Sequence, residues 1–280
     1  MLHECRLCGW DCGIDRAVKV GPCRTGMEVR VATAYLHFGE ERPLVGLGGS
    51  GTIFFAHCEL RCQFCQTARW NIEGNGQVLT TRQLADVMLR LQQQGAVNIN
   101  LVTPTHVASQ ILEALAIAVD NGLHLPLVWN SGGYDSPQLL ALLDGIVDIY
   151  LPDMKYSDTA LGRRLSGIGE YPEVNQRAVA EMHRQVGDLV VDGHGVAQRG
   201  LLVRHLVMPG HLANTEGVLR WIAQRLGANT YLSLMDQYRP AHRAFDHEDI
   251  GRPITPDEYA QARRMALSFG LQRLDDHQLL

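Results

Sequence analysis

Past residue 65 the chain contains no cysteine. All seven thiols fall in two short groups: Cys5, Cys8, Cys12 and Cys23, then Cys58, Cys62 and Cys65. Cysteines kept for packing would be scattered through a core, because free Cys packs as a small hydrophobe. Long apolar runs are also missing. No stretch of about 18 uncharged apolar residues exists, so no membrane span is expected. The opening residues, MLHECRLCGWDCGIDR, lack the apolar centre of a secretory leader. No repeat of fixed period, low-complexity tract or long like-charge run interrupts the sequence. Nor is positive charge in excess. Lys and Arg number 25 against 30 Asp and Glu, a formal net charge of −5, whereas nucleic-acid binders carry a basic face. These absences argue against a membrane protein and against DNA or tRNA as the main partner. They point to a cytoplasmic chain whose thiols stay reduced, where clustered cysteines serve as ligands rather than disulfides. The 280 residues, 46% of them hydrophobic, suffice for one large core without forcing a second domain.

The second cysteine group lies in GTIFFAHCELRCQFCQT, with three residues between Cys58 and Cys62 and two between Cys62 and Cys65. Three thiolates on one short loop can hold three irons of a cubane and leave the fourth iron without a protein ligand. An open position on a metal is where substrate or cofactor binds. A structural zinc site fits less well, because no fourth ligand stands at zinc-finger spacing. His57 could complete a site, but its neighbour Cys58 constrains its reach. The first group, Cys5-x2-Cys8-x3-Cys12-x10-Cys23, offers four thiolates within 19 residues. Such a set suits tetrahedral zinc or an iron–sulfur cluster, and spacing does not decide between them. The segment is short and Gly-rich, so a metal would staple it. Free, redox-labile thiols are the alternative. Cys5-x2-Cys8 taken alone as a redox motif lacks its βαβ context.

Residues 29–39, VRVATAYLHFG, alternate enough for a strand or hairpin arm. GLGGSG at 46–51 matches G-x-G-x-x-G by letter. It leads into an apolar strand instead of opening a helix, so it reads as a flexible approach to the cysteine loop, its small residues letting backbone pass close to a cofactor. Strands are then expected at 52–56, 97–104, 125–131, 147–155, 201–209 and 230–238. Helices are expected at 81–95, 106–122, 136–145, 172–186 and 215–227, with a last one from Thr255. Six strands alternating with helices argue for a parallel sheet. Six units fall short of the eight of a full barrel, and periodicity alone leaves both a partial barrel and a doubly wound sheet open.

Ligands in parallel α/β sheets bind at the carboxyl ends of strands. Polar residues cluster at those places: Thr103, Thr105 and His106 after the second strand, Asn130, Ser131 and Gly132 at the third, and Asp153 and Lys155 at the fourth. Arg204 and His205 lie within the fifth, and Asp236, Gln237 and Tyr238 end the sixth. Any one of them could be a cap or a solvated loop residue; Thr105 could cap the helix that follows. In His37-Phe38-Gly39-Glu40-Glu41 the two acids read as a solvated pair, the alternative being that they dock the N-terminal segment or a substrate.

The C-x3-C-x2-C spacing, with Phe64 just before the last cysteine, resembles that of radical S-adenosylmethionine (SAM) enzymes. HFGEERPL at 37–44, GSGTIFFAHCELRCQFCQ at 49–66, NINLVTPTH at 98–106, VDIYLPDMKY at 147–156, RHLVMPG at 204–210 and LMDQYRP at 234–240 resemble uncharacterised homologues of the pyruvate formate-lyase activating enzyme. The resemblance implies an α/β fold, a partial (β/α)6 radical SAM barrel over 46–280 preceded by a cysteine-rich metal- or cluster-binding segment over 1–45. It implies a [4Fe–4S] cluster on Cys58, Cys62 and Cys65, with SAM on the open iron. Reductive cleavage of SAM would give a 5′-deoxyadenosyl radical that takes hydrogen from a glycyl residue of a partner protein, or from another peptide or small molecule. The electron would come from a one-electron reductant such as flavodoxin or ferredoxin. Related proteins share an N-terminal cysteine set, which implies zinc or a second cluster on Cys5, Cys8, Cys12 and Cys23.

The same resemblance places Phe64 near the adenine, Asp153 and Lys155 as an Asp-x-Lys pair contacting SAM, and Asn130 and Ser131 near the SAM carboxylate. Arg204 aligns with an arginine of the fifth strand. Two places depart from the family pattern. Thr103-Pro104-Thr105 stands where Gly-Gly-Glu holds the SAM amino group, and Gln237-Tyr238 replaces a histidine of the sixth strand. Thr103, Thr105, Gln237 and Tyr238 are therefore candidate cofactor contacts of a site adapted to a different substrate. A non-catalytic iron–sulfur or zinc protein, acting as sensor or electron carrier, is the competing class. RNA modification, a third, would need a basic groove.

Overall fold

The computed structural model describes residues 1–275. The alternating segment forms β1 (Val29–His37), followed by a short helix, α1 (Arg42–Val45), and by β2 (Ser50–Phe55), antiparallel to β1. Next come α2 (Ala68–Asn71), β3 (Gln77–Leu79), which pairs with β1, and α3 (Thr81–Gln93). A capping box starts α3: Thr80 accepts the Gln83 amide and the Gln83 side chain accepts the Thr80 amide. Alternation then sets in with β4 (Ile99–Val102), α4 (Ala108–Asp120), β5 (Leu127–Ser131), α5 (Pro137–Leu143) and β6 (Ile149–Pro152). It continues through α6 (Thr159–Ser166), α7 (Tyr171–Val186), β7 (Val190–Val191), β8 (Ala197–Leu206), α8 (Leu212–Arg225), β9 (Tyr231–Met235) and α9 (Pro256–Ser268).

Strands β2, β4, β5, β6, β8 and β9 pair in that order, every pair parallel. They are the six strands expected from the sequence. Among the described residues β9 is not paired with β2, so the barrel stays open between them. The period of two sorts side chains to opposite faces. Leu101, Trp129, Tyr150, Leu201 and Val203 face out and pack with helix residues such as Met88, Ile111, Met182 and Ile222. The intervening Val128, Ile149, Leu151 and Leu202 face in, around Leu44 of α1. The chain thus fits a six-stranded partial α/β barrel whose lower lumen is plugged by Leu44.

Three readings change. The 46–51 loop lies at the amino end of β2, the opposite end of the strand from the Cys58–Cys65 loop. Its glycines serve a backbone contact: a Cβ on Gly48 would stand 1.9 Å from the Gly95 carbonyl oxygen. Helix α6 escaped the periodicity because it spans only eight residues with Gly162 inside, although Asp158 caps it by accepting the Leu161 amide at 2.6 Å. Residues 1–28 form only isolated bridges, Cys5–Ile14 and Cys8–Asp135. Since β1 belongs to the sheet, the expected division after residue 45 falls between two paired strands. No helix among the described residues is long and apolar enough to cross a membrane.

Candidate active site

Parallel strands bring their carboxyl ends to one rim, and a cavity of about 290 Å³ lies there. Cys58, Cys62 and Cys65 line it from the loop after β2, with Phe64 beside them. Each thiol meets a hydrogen-bonding group: Cys58 Sγ accepts the Leu60 amide at 3.3 Å, Cys62 Sγ accepts the Ser166 hydroxyl at 3.0 Å, and Cys65 Sγ lies 3.7 Å from Thr67 Oγ1. Burial pushes the Cys58 and Cys62 thiols up, Cys62 to about 11. Such thiols ionise readily only against a metal. The donor chemistry of this loop therefore fits an iron–sulfur cluster. Among the described residues no group of three or more His, Cys, Asp or Glu side chains is gathered closely enough to hold a single metal ion.

The opposite wall is charged. Asp153, just past β6, accepts Lys155 Nζ at 2.6 Å and Arg204 Nε at 2.9 Å. Arg204 also donates to Asn130 Oδ1 at 2.6 Å, reaching from β8 to β5 across β6. Burial alone would raise the Asp153 carboxyl, but the Arg204 and Lys155 charges outweigh it and hold it below the ordinary carboxylate range. Lys155 is one of only two lysines in the chain. Thr103, Ser131 and Gln237 line the same cavity. Thr103 holds φ at 59°, a left-handed conformation that costs a β-branched residue about 1–3 kcal/mol, while its amide donates to the Asn130 carbonyl at 2.8 Å.

Two candidates lie elsewhere. Thr105 is fully buried and neither lines the cavity nor caps α4; its hydroxyl donates to Asp135 Oδ1 at 2.8 Å. Tyr238 packs behind Phe64, ring centroids 6.0 Å apart, and donates to the Ile250 carbonyl at 2.7 Å. His205 is also fully buried, between the Met154 carbonyl and the Thr215 hydroxyl.

Glu40 and Glu41 are buried, which corrects the reading of a solvated pair. Glu41 is 3% exposed and the Glu40 side chain 9%. They follow β1 and project toward Arg204, whose Nη1 lies 4.0 Å from Glu40 Oε2. Burial, reinforced by Glu41, pushes the Glu40 carboxyl up to about 8. A carboxyl raised on folding from its ordinary 4.5 contributes stability that is complete below that value and lost as pH rises through the folded one. The melting temperature of the metal-free chain is therefore expected to fall between pH 5 and pH 8, with a slope from this group of up to about 1.4 kcal/mol per pH unit. Glu40→Gln should flatten that slope, as thermal melts across the range would read.

The N-terminal segment docks beside the cysteine loop. Gly9 donates its amide to the Tyr134 carbonyl at 2.9 Å, Arg16 donates to the His106 carbonyl, and Trp10 Nε1 donates to the Glu59 carbonyl at 2.8 Å. A Cβ on Gly9 would stand 2.5 Å from the Tyr134 ring, so glycine is what lets the segment approach. Cys5, Cys8 and Cys23 are buried and Cys12 half-buried; Cys23 Sγ accepts from Arg16 at 3.6 Å. Burial raises the Cys8 thiol well above its usual range, and the Glu59 carboxylate adds to it. Glu59 also stands 3.8 Å from Cys58 Sγ, which puts it between the two cysteine groups. Sequence reading passed over Glu59, Asp135 and Ser166. Only the adjacency of Glu59 to Cys58 was visible beforehand.

Fold and site together define a six-stranded partial α/β barrel with a three-cysteine loop and an Asp–Lys–Arg wall facing each other across its mouth. The chain belongs to the family of the uncharacterized protein MJ0674 of Methanocaldococcus jannaschii, with which it shares 32% identity over 288 residues, covering 99% of this chain and 78% of that protein. No protein-family model matches the chain. Its fold is shared with SuiB of Streptococcus suis, solved with precursor peptide SuiA (TM-score 0.52, 10% identity, 76% of this chain and 44% of SuiB). It is shared too with methylornithine synthase PylB (0.52, 16%, 78% and 61%) and with anSMEcpe, solved with AdoMet and the Cp18Cys peptide (0.51, 10%, 76% and 56%). The chain thus spans only 44 to 61% of the length of these solved chains.

Proposed function

We propose that this protein is a radical SAM enzyme of the activating-enzyme type, cytoplasmic, acting on a peptide or on a glycyl residue of a partner protein. The observation that carries the reading is the convergence of Cys58, Cys62 and Cys65 with Phe64, Asn130, Asp153, Lys155 and Arg204 on one cavity. A [4Fe–4S] cluster on the three thiolates would supply the electron, received from flavodoxin or ferredoxin, that cleaves AdoMet to methionine and a 5′-deoxyadenosyl radical. The protein's own part is positioning and exclusion of water. Phe64 offers an apolar face for adenine. Asn130, Ser131 and Lys155 offer polar groups for the amino-acid end, and Thr103 takes the place of a Gly-Gly-Glu segment. Asp153 and Arg204 fix one another, so the wall is set before AdoMet arrives. Two solved proteins of the same fold hold peptides, and anSMEcpe also holds AdoMet, which favours a peptide substrate here. The N-terminal thiols, held against the cysteine loop, would carry zinc or a second cluster.

The test is anaerobic purification with iron, sulfide and zinc counts, followed by reduction with AdoMet. Wild type is expected to yield 5′-deoxyadenosine, and the C58A/C62A/C65A variant to lose about four irons per chain together with that product. Metal left in the variant would belong to Cys5, Cys8, Cys12 and Cys23. A reduced, iron-loaded wild type that never releases 5′-deoxyadenosine would refute the reading.

A further inference from the structure

The shortest hydrogen bond to any of the three sulfurs of the cysteine loop comes from Ser166, whose Oγ lies 3.0 Å from Cys62 Sγ. The Leu60 amide stands 3.3 Å from Cys58 Sγ, and Thr67 Oγ1 3.7 Å from Cys65 Sγ. Ser166 ends α6 and is fully buried, 104 residues from Cys62 in sequence. A helical serine commonly returns its hydroxyl to the carbonyl one turn back. Here that carbonyl, Gly162, already accepts the Ile168 amide at 3.2 Å, and the hydroxyl points to the sulfur instead.

Tyr156 completes the arrangement. It is buried, and its Oη lies 2.7 Å from Ser166 Oγ. A sulfur bound to metal has no proton and can only accept. Ser166 has a single hydrogen to give, so it donates to Cys62 and accepts from the phenol. The order Tyr156 to Ser166 to Cys62 follows, and the first bond strengthens the second. Backbone contacts hold the same geometry. Gln63 donates its amide to the Leu165 carbonyl at 2.8 Å, and its own carbonyl accepts the Arg243 amide at 2.8 Å. The residue after Cys62 is thus pinned to the residue before Ser166.

The surroundings make this bond matter. Cys62 packs against a buried cluster that includes Leu60, Phe64, Leu165, Tyr171 and Met208. Negative charge added there is poorly solvated, and a hydrogen bond to a ligand sulfur favours the reduced form. Tyr156 also follows Lys155 directly, so the strand end that supplies the charged wall supplies the first link toward the sulfur.

We propose that Ser166, oriented by Tyr156, is a positioning residue that holds the Cys62 thiolate and raises the reduction potential of the cluster on the three cysteines. This rests on the reading of Cys58, Cys62 and Cys65 as cluster ligands and deepens it.

The potential can be read without turnover. The anaerobic, iron-loaded full chain would be titrated potentiometrically without AdoMet, following the electron paramagnetic resonance signal of the reduced cluster. Loss of that signal in the C58A/C62A/C65A variant assigns it. Ser166→Ala is expected to keep the wild-type iron content and to shift the midpoint to more negative potential. Tyr156→Phe should shift it the same way, by less. An unchanged or more positive midpoint in Ser166→Ala would overturn the proposal. Should that variant lose its iron, Tyr156→Phe, which leaves the serine in place, carries the test, and an unchanged midpoint there would overturn it. The 5′-deoxyadenosine assay is scored separately. A midpoint shift without AdoMet cleavage by wild type would sink only the radical reading, and cleavage without a midpoint shift only this one.

Discussion

Asp153→Ala is expected to lower the free energy of unfolding by about 3 kcal/mol and to weaken AdoMet binding by tenfold or more. The carboxylate holds Lys155 at 2.6 Å and Arg204 at 2.9 Å, all three side chains being more than four-fifths buried. Removing one partner of a buried ion pair leaves the other charge uncompensated, a loss of about 3–5 kcal/mol in comparable cases. The low end applies because the cavity admits water to both cations. Asp153→Asn keeps an acceptor for one of them and should cost about half as much. Urea denaturation under anaerobic, reducing conditions would show a lower midpoint at constant slope. An unchanged midpoint for Asp153→Ala would mean that the two cations do not depend on it.

Asp135→Ala should cost more, about 4 kcal/mol, although Asp135 does not itself line the cavity. Its carboxylate accepts Ser131 Oγ at 2.7 Å, Thr105 Oγ1 at 2.8 Å and Trp129 Nε1 at 3.0 Å. Truncation strands three buried donors, each costing about 1–3 kcal/mol, partly offset by relaxation. Asp135→Asn should recover roughly half, since its carbonyl oxygen still accepts two of the bonds. Ser131 lines the cavity and Thr105 follows Thr103, so the alanine variant should also blunt AdoMet affinity. Denaturation midpoints and AdoMet titration on both variants would read the two effects apart.

Much of this architecture is legible in the sequence. The six parallel strands announce themselves as apolar runs bounded by Gly, Pro and Asn, and the Thr80–Gln83 and Thr255–Glu258 boxes mark two helix starts by side-chain chemistry alone. Cys58, Cys62, Cys65, Phe64, Asn130, Asp153, Lys155 and Arg204 could be named because their spacing or strand-end position is local information. Glu40 and Glu41 could not be placed, since nothing near them reveals an arginine 164 residues away in sequence. The role of Asp135 was hidden for the same reason: two of its three donors sit on the same strand, but Thr105 arrives from the loop after β4. Thr105 and Tyr238 were polar residues at the right strand ends whose side chains turn into packing instead. Proximity along a strand end predicts neighbourhood, not direction.

The docking of residues 1–28 has a bearing on the order in which the molecule can be made. The segment is synthesised before its berth. Arg16 waits for His106, 90 residues later, and Arg6 for Ser136, 130 residues later. At usual translation speeds of about 5–20 residues per second, its four thiols spend several seconds outside any finished structure. Iron or zinc supplied during that interval meets an open peptide, whereas metal supplied afterwards meets thiols already pressed against Tyr134 and the loop of Cys58. For the zinc or second cluster proposed on the first cysteines, the moment of delivery would then matter as well as affinity.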